Sequence, residues 1–227
     1  TIPVMLDIAR DMETYCPDAV MLNYTNPMAM IMWAIHQETS ISAVGLCHSV
    51  QGTSRQLSNY MDIDYKRMRY LTAGINHMAW FLDLSINGED LYPQLRNCLR
   101  DPEIFEKDPV RFEIFKHFNY FVTESSRHMA EYVPYVMPHV EEMERLKQPI
   151  RTVETFSKQN ETRQVRIKQA VKESESDSLD LKKSNEYAAT IIHAIETDTP
   201  TYIYGNVRNT ALITNLLDGC CVEVPRL

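Results

Sequence analysis

Cys47 and His48 stand side by side at the end of a short apolar run, and His77 follows thirty residues after Cys47 inside Gly74-Ile75-Asn76-His77-Met78-Ala79. A thiolate and an imidazole delivered by two loops could hold a transition metal in an open site, leaving positions for substrate oxygens and water. The same two groups could work as nucleophile and base. The spacing matches no stereotyped zinc pattern, so it separates neither use from the other, nor from ordinary packing of a Cys and a His.

Weaker candidates surround this pair. Glu124, His128 and Glu131 fall at helical spacing, where they could line a pocket or form a satisfied helix surface. Tyr187 opens an apolar helical stretch through Ile191 and Ile195, the usual setting of a core-edge tyrosine with its hydroxyl satisfied. Cys220 and Cys221 are adjacent, which predicts one buried and one facing away. The five cysteines are an odd number at irregular spacing with no CxxC, so neither a disulfide framework nor a structural zinc site is expected, and a reducing, cytosolic setting is.

The elements that must position these groups alternate between helix and strand. Val4, Ile8 and Met12 mark a helix that stops before Pro17. Ala19 to Leu22 suits a buried strand, after which Thr25 or Asn26 caps a new helix with Pro27 in its first turn and Met28, Met32 and Ile35 on its apolar side. A second strand, Ile41 to Gly45, leads through Cys47-His48-Ser49 into a helix containing Val50 and Leu57. This is the grammar of a parallel α/β sheet, whose ligand sites form at the carboxyl ends of the strands. Asn26 and Cys47 both lie there.

From Met68 to Leu91 the pattern turns strand-like, with Trp80, Leu82 and Leu84 alternating against Phe81, Asp83 and Ser85 before a turn at Asn87-Gly88, so antiparallel structure is expected beside the first sheet. Helix signals dominate from Leu91 to Ile195. Residues 141–183 hold 9 acids and 10 bases, a solvated helical region expected to be mobile around Glu173 to Asp180. A last strand, Thr201 to Tyr204, precedes Gly205-Asn206. The expected fold class is therefore α/β: residues 1–60 form the second half of a Rossmann-like, lactate/malate dehydrogenase-type parallel sheet, and residues 61–227 a mixed α+β catalytic domain rich in helices.

With 227 residues, 44% of them hydrophobic, the chain has material for a real core, which excludes disordered and low-complexity classes. A net charge of −8 argues against a nucleic-acid partner. No apolar run approaches the roughly 20 residues that span a bilayer, so no membrane partner is expected either. The chain begins at Thr1 rather than Met, as an internal fragment would. No G-x-G-x-x-G occurs, and if a dinucleotide binds, its phosphate loop is expected upstream of Thr1.

Several blocks together resemble the signatures of family 4 glycoside hydrolases. They are Asn23-Tyr24-Thr25-Asn26-Pro27-Met28-Ala29-Met30, Gly45-Leu46-Cys47-His48-Ser49-Val50-Gln51-Gly52, Ala73-Gly74-Ile75-Asn76-His77-Met78-Ala79, Tyr120 to Ser126 with His128 and Glu131-Tyr132-Val133-Pro134, Tyr204 to Asn209, and Gly219-Cys220-Cys221-Val222-Glu223-Val224. Their order is consistent along essentially the whole chain, and the combination is most similar to the α-galactosidase (melibiase) branch.

The resemblance implies NAD and a divalent metal, typically manganese, and cleavage by oxidation, elimination, addition and reduction, outside the usual two-carboxylate scheme. Transient oxidation at C3 of the sugar makes C2–H acidic enough for a protein base, and the returned hydride leaves no net consumption of NAD. It further implies that Cys47 and His77 are the metal ligands, that Asn26 sits between nicotinamide and substrate, and that Asn76 holds substrate. His48 stands where phospho-glycosidase members carry an acidic Asp and is the expected proton donor. Tyr187 is the expected base at C2, a phenol whose ordinary pKa of roughly 10 needs nearby metal charge to be useful. An α-galactoside substrate, a homodimer or homotetramer and a cytoplasmic location go with it. Sister specificities, α-glucosidase or α-galacturonidase, and a truncated, non-catalytic remnant are the alternatives. Asn119, Arg127, Asn185, Thr210-Ala211 and Leu217 depart from the branch pattern, as altered specificity or drift would produce.

Overall fold

Ile2, Met5, Ala9 and Met12 repeat at helical spacing, and α1 (Ile2–Tyr15) lays that stripe against α2 (Met28–Glu38) and Met21 of β1 (Val20–Asn23). β2 (Ser42–Leu46) pairs parallel with β1, Val20 opposite Ser42 and Asn23 opposite Gly45, and α3 (Ser49–Tyr60) follows at once. In this computed structural model residues 1–150, 152–174 and 186–226 are described, apart from the side chains of 173 and 174. The expectation of mobility around Glu173 to Asp180 falls outside what is described.

The chain continues through β3 (Met68–Ile75), β4 (Met78–Ile86), β5 (Glu89–Asp90), α4 (Tyr92–Cys98), α5 (Pro102–Phe105), α6 (Pro109–Phe118), β6 (Phe121–Val122), α7 (Ser126–Tyr132), α8 (Val140–Arg145), α9 (Val153–Ser174), α10 (Ala188–Thr197), β7 (Ile203–Arg208) and β8 (Cys221–Arg226). The strands form one sheet in the order β1-β2-β7-β8-β3-β4-β5, with β6 on β4. Among the described residues only the β1–β2 pair is parallel; β7 pairs antiparallel with both β2 and β8, and β8 with β3. Cys47 just after β2, Asn206 and Glu223 inside β7 and β8, and the Asn76-His77 turn thereby meet in one region of the sheet.

An aromatic-rich core and an aliphatic one lie under the antiparallel part. Leu57, Phe81, Leu84, Leu95, Phe112, Phe115 and Phe121 fill the space between α3, α4, α6 and the sheet, and Val110, Val122, Met129 and Leu146 that between α6, α7 and α8. The outer face of α9 is exposed along its described length, as its mixed charge predicts.

Four expectations are corrected. In β4, Ala79 and Phe81 are buried but Leu82 is 46% exposed and Leu84 buried again, because a bulge between Leu71 and Thr72 shifts the register and flips the phase of the alternation. β7 does not stop before Gly205-Asn206 but runs through it, since a side-chain-free residue is what the packed Val44 methyl, 2.9 Å from where a Cβ would stand, allows. Cys220 and Cys221 are both buried, in clusters on opposite faces of a sheet that is covered on each side. Pro27 precedes α2 as its cap residue rather than lying inside the first turn, with a cis Asn26–Pro27 bond.

Candidate active site

Thirty residues of sequence separate Cys47 from His77, and the fold brings Cys47 Sγ to 3.7 Å from His77 Nε2. Cys47 ends β2 in a buried position and lies 3.3 Å from the Ser49 hydroxyl at the start of α3. His77 is the second residue of the tight β3–β4 turn and adopts φ 65°, which throws its ring out of the sheet plane towards Cys47. Gly74 makes that turn possible: its φ is +153°, and a Cβ there would come within 2.6 Å of the Ala79 backbone.

Three further side chains close around the imidazole. Glu124 Oε2 is 3.2 Å from His77 Nε2, the Tyr132 hydroxyl is 3.2 Å from His77 Nδ1, and the His128 ring stacks on His77 at 5.8 Å with 8° between planes. Glu124 Oε1 meets His128 Nδ1 at 3.1 Å and accepts the Ser125 N–H. Burial works against ionisation of Glu124, but the Ser125 N–H and the two imidazoles outweigh it and hold the carboxyl below the usual carboxylate range. Glu124 and His128 thus belong to the site and not to a satisfied helix surface; Glu131 is exposed on α7 and, among the described residues, makes no hydrogen bond to this group. Tyr132 is the residue that sequence reasoning missed. Its signal was available, because it stands four residues after His128 and shares its helix face.

Beneath His77, Asn76 Nδ2 donates to Glu223 Oε1 at 3.4 Å, and Asn206 Nδ2 donates to the same oxygen at 3.3 Å and to the Gly45 carbonyl. Burial, with the Cys47 sulfur nearby, pushes the Glu223 carboxyl up to about 8, the two amides offsetting part of the effect.

The other expected site residues lie around the rim. His48 caps α3 with a 78% exposed side chain, 3.8 Å from Glu186. Asn26 Oδ1 accepts the Met28 N–H, and among the described residues its Nδ2 has no acceptor. Tyr187 packs against Leu46, Ile191 and Ile203 and is hydrogen-bonded by Gln51, one helical turn beyond Cys47; burial pushes its phenol up to about 12. It does not touch Cys47 or His77.

The donor geometry fits one cation between Cys47 and His77. Bond lengths of about 2.3 Å to sulfur and about 2.1 Å to nitrogen at a tetrahedral angle place the two donors about 3.6 Å apart. If Nδ1 donates to Tyr132, Nε2 would carry the lone pair that a metal needs, the metal then replacing the 3.2 Å contact of Nε2 with the Glu124 carboxylate. Among the described residues no group of three or more His, Cys, Asp or Glu is arranged to enclose an ion. Two protein donors make an open, weak site whose remaining positions fall to substrate and water. The same pair read without a metal is a thiol with its base.

Among the described residues no helix is long and apolar enough to cross a membrane. The profile of the family 4 glycosyl hydrolase matches residues 1–63, and that of the family 4 glycosyl hydrolase C-terminal domain residues 72–227. The chain is 40% identical to an α-galactosidase of Bacillus subtilis (strain 168) over 99% of its own length and 52% of that protein's. It is 32% identical to an α-galactosidase of Rhizobium meliloti (strain 1021), with 99% and 48% covered. A 6-phospho-α-glucosidase from gut microorganisms, crystallised with NAD and Mn2+, superposes with a TM-score of 0.71 at 19% identity over 99% of this chain and 55% of that one. The chain spans about half the length of the curated relatives it matches. Both halves of the family pattern run through it in order, and the chain belongs to glycoside hydrolase family 4.

Proposed function

We propose that the chain carries the metal and proton-transfer half of an α-galactosidase that works with NAD and manganese, and that Cys47 and His77 are the metal ligands. The observation that carries this reading is the 3.7 Å approach of Sγ and Nε2, with Nδ1 held from behind by Tyr132. The 40% identity to an α-galactosidase supports the galactoside specificity over its sister specificities. When bound, the two cofactors would supply a hydride acceptor and a Lewis acid.

The chain's own residues have separable tasks. Asn76, with its amide aligned by Glu223, offers hydrogen bonds to sugar hydroxyls beside His77. Asn26 has a free amide donor at the carboxyl end of β1, where nicotinamide and substrate are expected to meet. His48 is solvated, its neighbour is the Glu186 carboxylate, and its imidazole can hand a proton to the leaving oxygen.

For the base at the sugar carbon two phenols compete, Tyr132 and Tyr187, and we favour Tyr132. Burial and then the charges of Glu124, Glu131 and Cys47 raise its pKa. A divalent cation, if held by Cys47 and His77, would oppose those charges, and a proton on His77 Nδ1 would stabilise the phenolate. Tyr187 has neither advantage. The thiol ligand also suits a reducing cytoplasm, all five cysteines being free.

The test is hydrolysis of a nitrophenyl α-galactoside by the intact protein. Activity should require NAD, manganese and a thiol reductant, and in heavy water the released galactose should carry deuterium at C2. Activity indifferent to chelation and to NAD removal would sink the proposal, as would a Cys47→Ser variant that retains manganese-dependent turnover.

A further inference from the structure

Among the described residues the largest fully buried side chains include a cation, Arg111, 1% exposed at the start of α6. Four of its five N–H donors are engaged. Nε donates to Asp108 Oδ1 at 2.8 Å, Nη2 to Asp108 Oδ2 and to Gln56 Oε1 at 2.6 Å, and Nη1 to Thr53 Oγ1 at 2.7 Å. Asp108 in turn accepts from Tyr60 at 2.5 Å and from Ser126 at 2.9 Å. The guanidinium lies 5.1 Å from the Phe121 ring centroid. None of these groups takes part in the proposed chemistry.

What the cluster does follows from one hydroxyl. Thr53 Oγ1 has a single proton, and because Arg111 Nη1 occupies an acceptor position, that proton is directed to the Thr123 carbonyl at 2.6 Å. Thr123 immediately precedes Glu124, and its own N–H donates to Ala79 O, two residues beyond His77. The backbone next to Glu124 is therefore held from α3, whose entrance carries Cys47, and from β4, whose entrance carries His77. A buried Arg–Asp pair adds little net stability over apolar packing, but it tolerates only one arrangement of its partners.

We propose that Arg111 and Thr53 are positioning residues that fix Glu124, and through it the His77 ring, relative to Cys47. The inference rests on the reading of Cys47 and His77 as the reaction centre. Neither residue reaches substrate; they act through the Thr123 carbonyl.

The experiment compares Thr53→Val, Thr53→Ser and Arg111→Lys in the intact protein by three readouts: free Mn2+ counted by electron paramagnetic resonance, kcat and KM on a nitrophenyl α-galactoside, and the His77 and His128 imidazole NMR signals without metal. Thr53→Val should weaken manganese binding about 10-fold, lower kcat more than it changes KM, and move both imidazole signals, while Thr53→Ser restores all three. Arg111→Lys, which keeps the charge for Asp108 but not the fork that reaches Thr53, should behave like Thr53→Val and decides the matter should the valine variant not fold. Manganese affinity and imidazole signals equal to wild type in Thr53→Val or Arg111→Lys overturn the inference. If wild type binds no manganese, the metal reading falls by itself, and the imidazole signals alone then support the clamp by moving or refute it by staying.

Discussion

The hydroxyl of Tyr132 lies 3.2 Å from Nδ1 of His77, a contact between the end of α7 and the β3–β4 turn across 55 residues of sequence. With the Tyr132 oxygen as the acceptor, Nδ1 carries the imidazole proton and Nε2 is left to accept on the side of Cys47, where Glu124 also approaches it. Two effects should therefore appear together in Tyr132→Phe. Loss of the base should lower kcat about 100-fold or more, and loss of the imidazole's partner should weaken manganese about 10-fold. Tyr187→Phe, which breaks only the Gln51 contact and core-edge packing, should cost less than about 10-fold in kcat. Steady-state kinetics with C2 deuterium exchange checks the assignment, and the reverse ranking of the two variants would give the base to Tyr187.

The turn that aims His77 depends on Gly74. Its φ of +153° is one that side chains rarely adopt, and a Cβ would meet the Ala79 Cα at 2.6 Å and the Met78 carbonyl at 2.8 Å, both backbone atoms unable to step aside. Gly74→Ala should destabilise the protein by about 2 kcal/mol and displace the Asn76-His77 turn. Urea unfolding measures the first effect and manganese binding the second. A variant with wild-type stability and affinity would show that the turn adapts, against this account of it.

The parallel β1–β2 pair with its helices was legible because each element is a continuous apolar segment ended by Pro, Asn or Gly. Cys47 and His77 were legible as a candidate pair but their route to one another was not, since nothing in a thirty-residue spacing says that β7 and β8 lie antiparallel between β2 and β3. The phase of β4 was not legible: a bulge adds one residue without altering composition, so Leu82 reads as core and stands exposed. Glu124, His128 and Tyr132 looked like a helix surface because spacing reveals which residues share a face and not what that face meets. Glu223 sat in plain view between two valines. Its burial follows from β8 lying inside the sheet, which only topology could supply.

Glu223 gives the site a measurable pH dependence. It is fully buried, among the described residues its Oε2 has no hydrogen-bond partner and Asn206 Oδ1 beside it has none either, so a neutral carboxyl is favoured over a bare charge. Its pKa in the folded protein is raised to about 8, from an ordinary carboxyl value of 4.5. Between those values the folded state holds a proton that the unfolded chain has released. Folding stability is then highest below the unfolded pKa and declines as pH rises towards 8, with a slope from this group of at most about 1.4 kcal/mol per pH unit. Glu223→Gln keeps an oxygen for the Asn76 and Asn206 amides but cannot ionise. Urea unfolding of the chelator-treated protein from pH 5 to pH 8 should give a flatter profile for the variant than for wild type, with the two diverging most at the alkaline end. Parallel profiles would mean that Glu223 is charged in the folded protein throughout, its Oε2 then being satisfied by a donor such as an internal water.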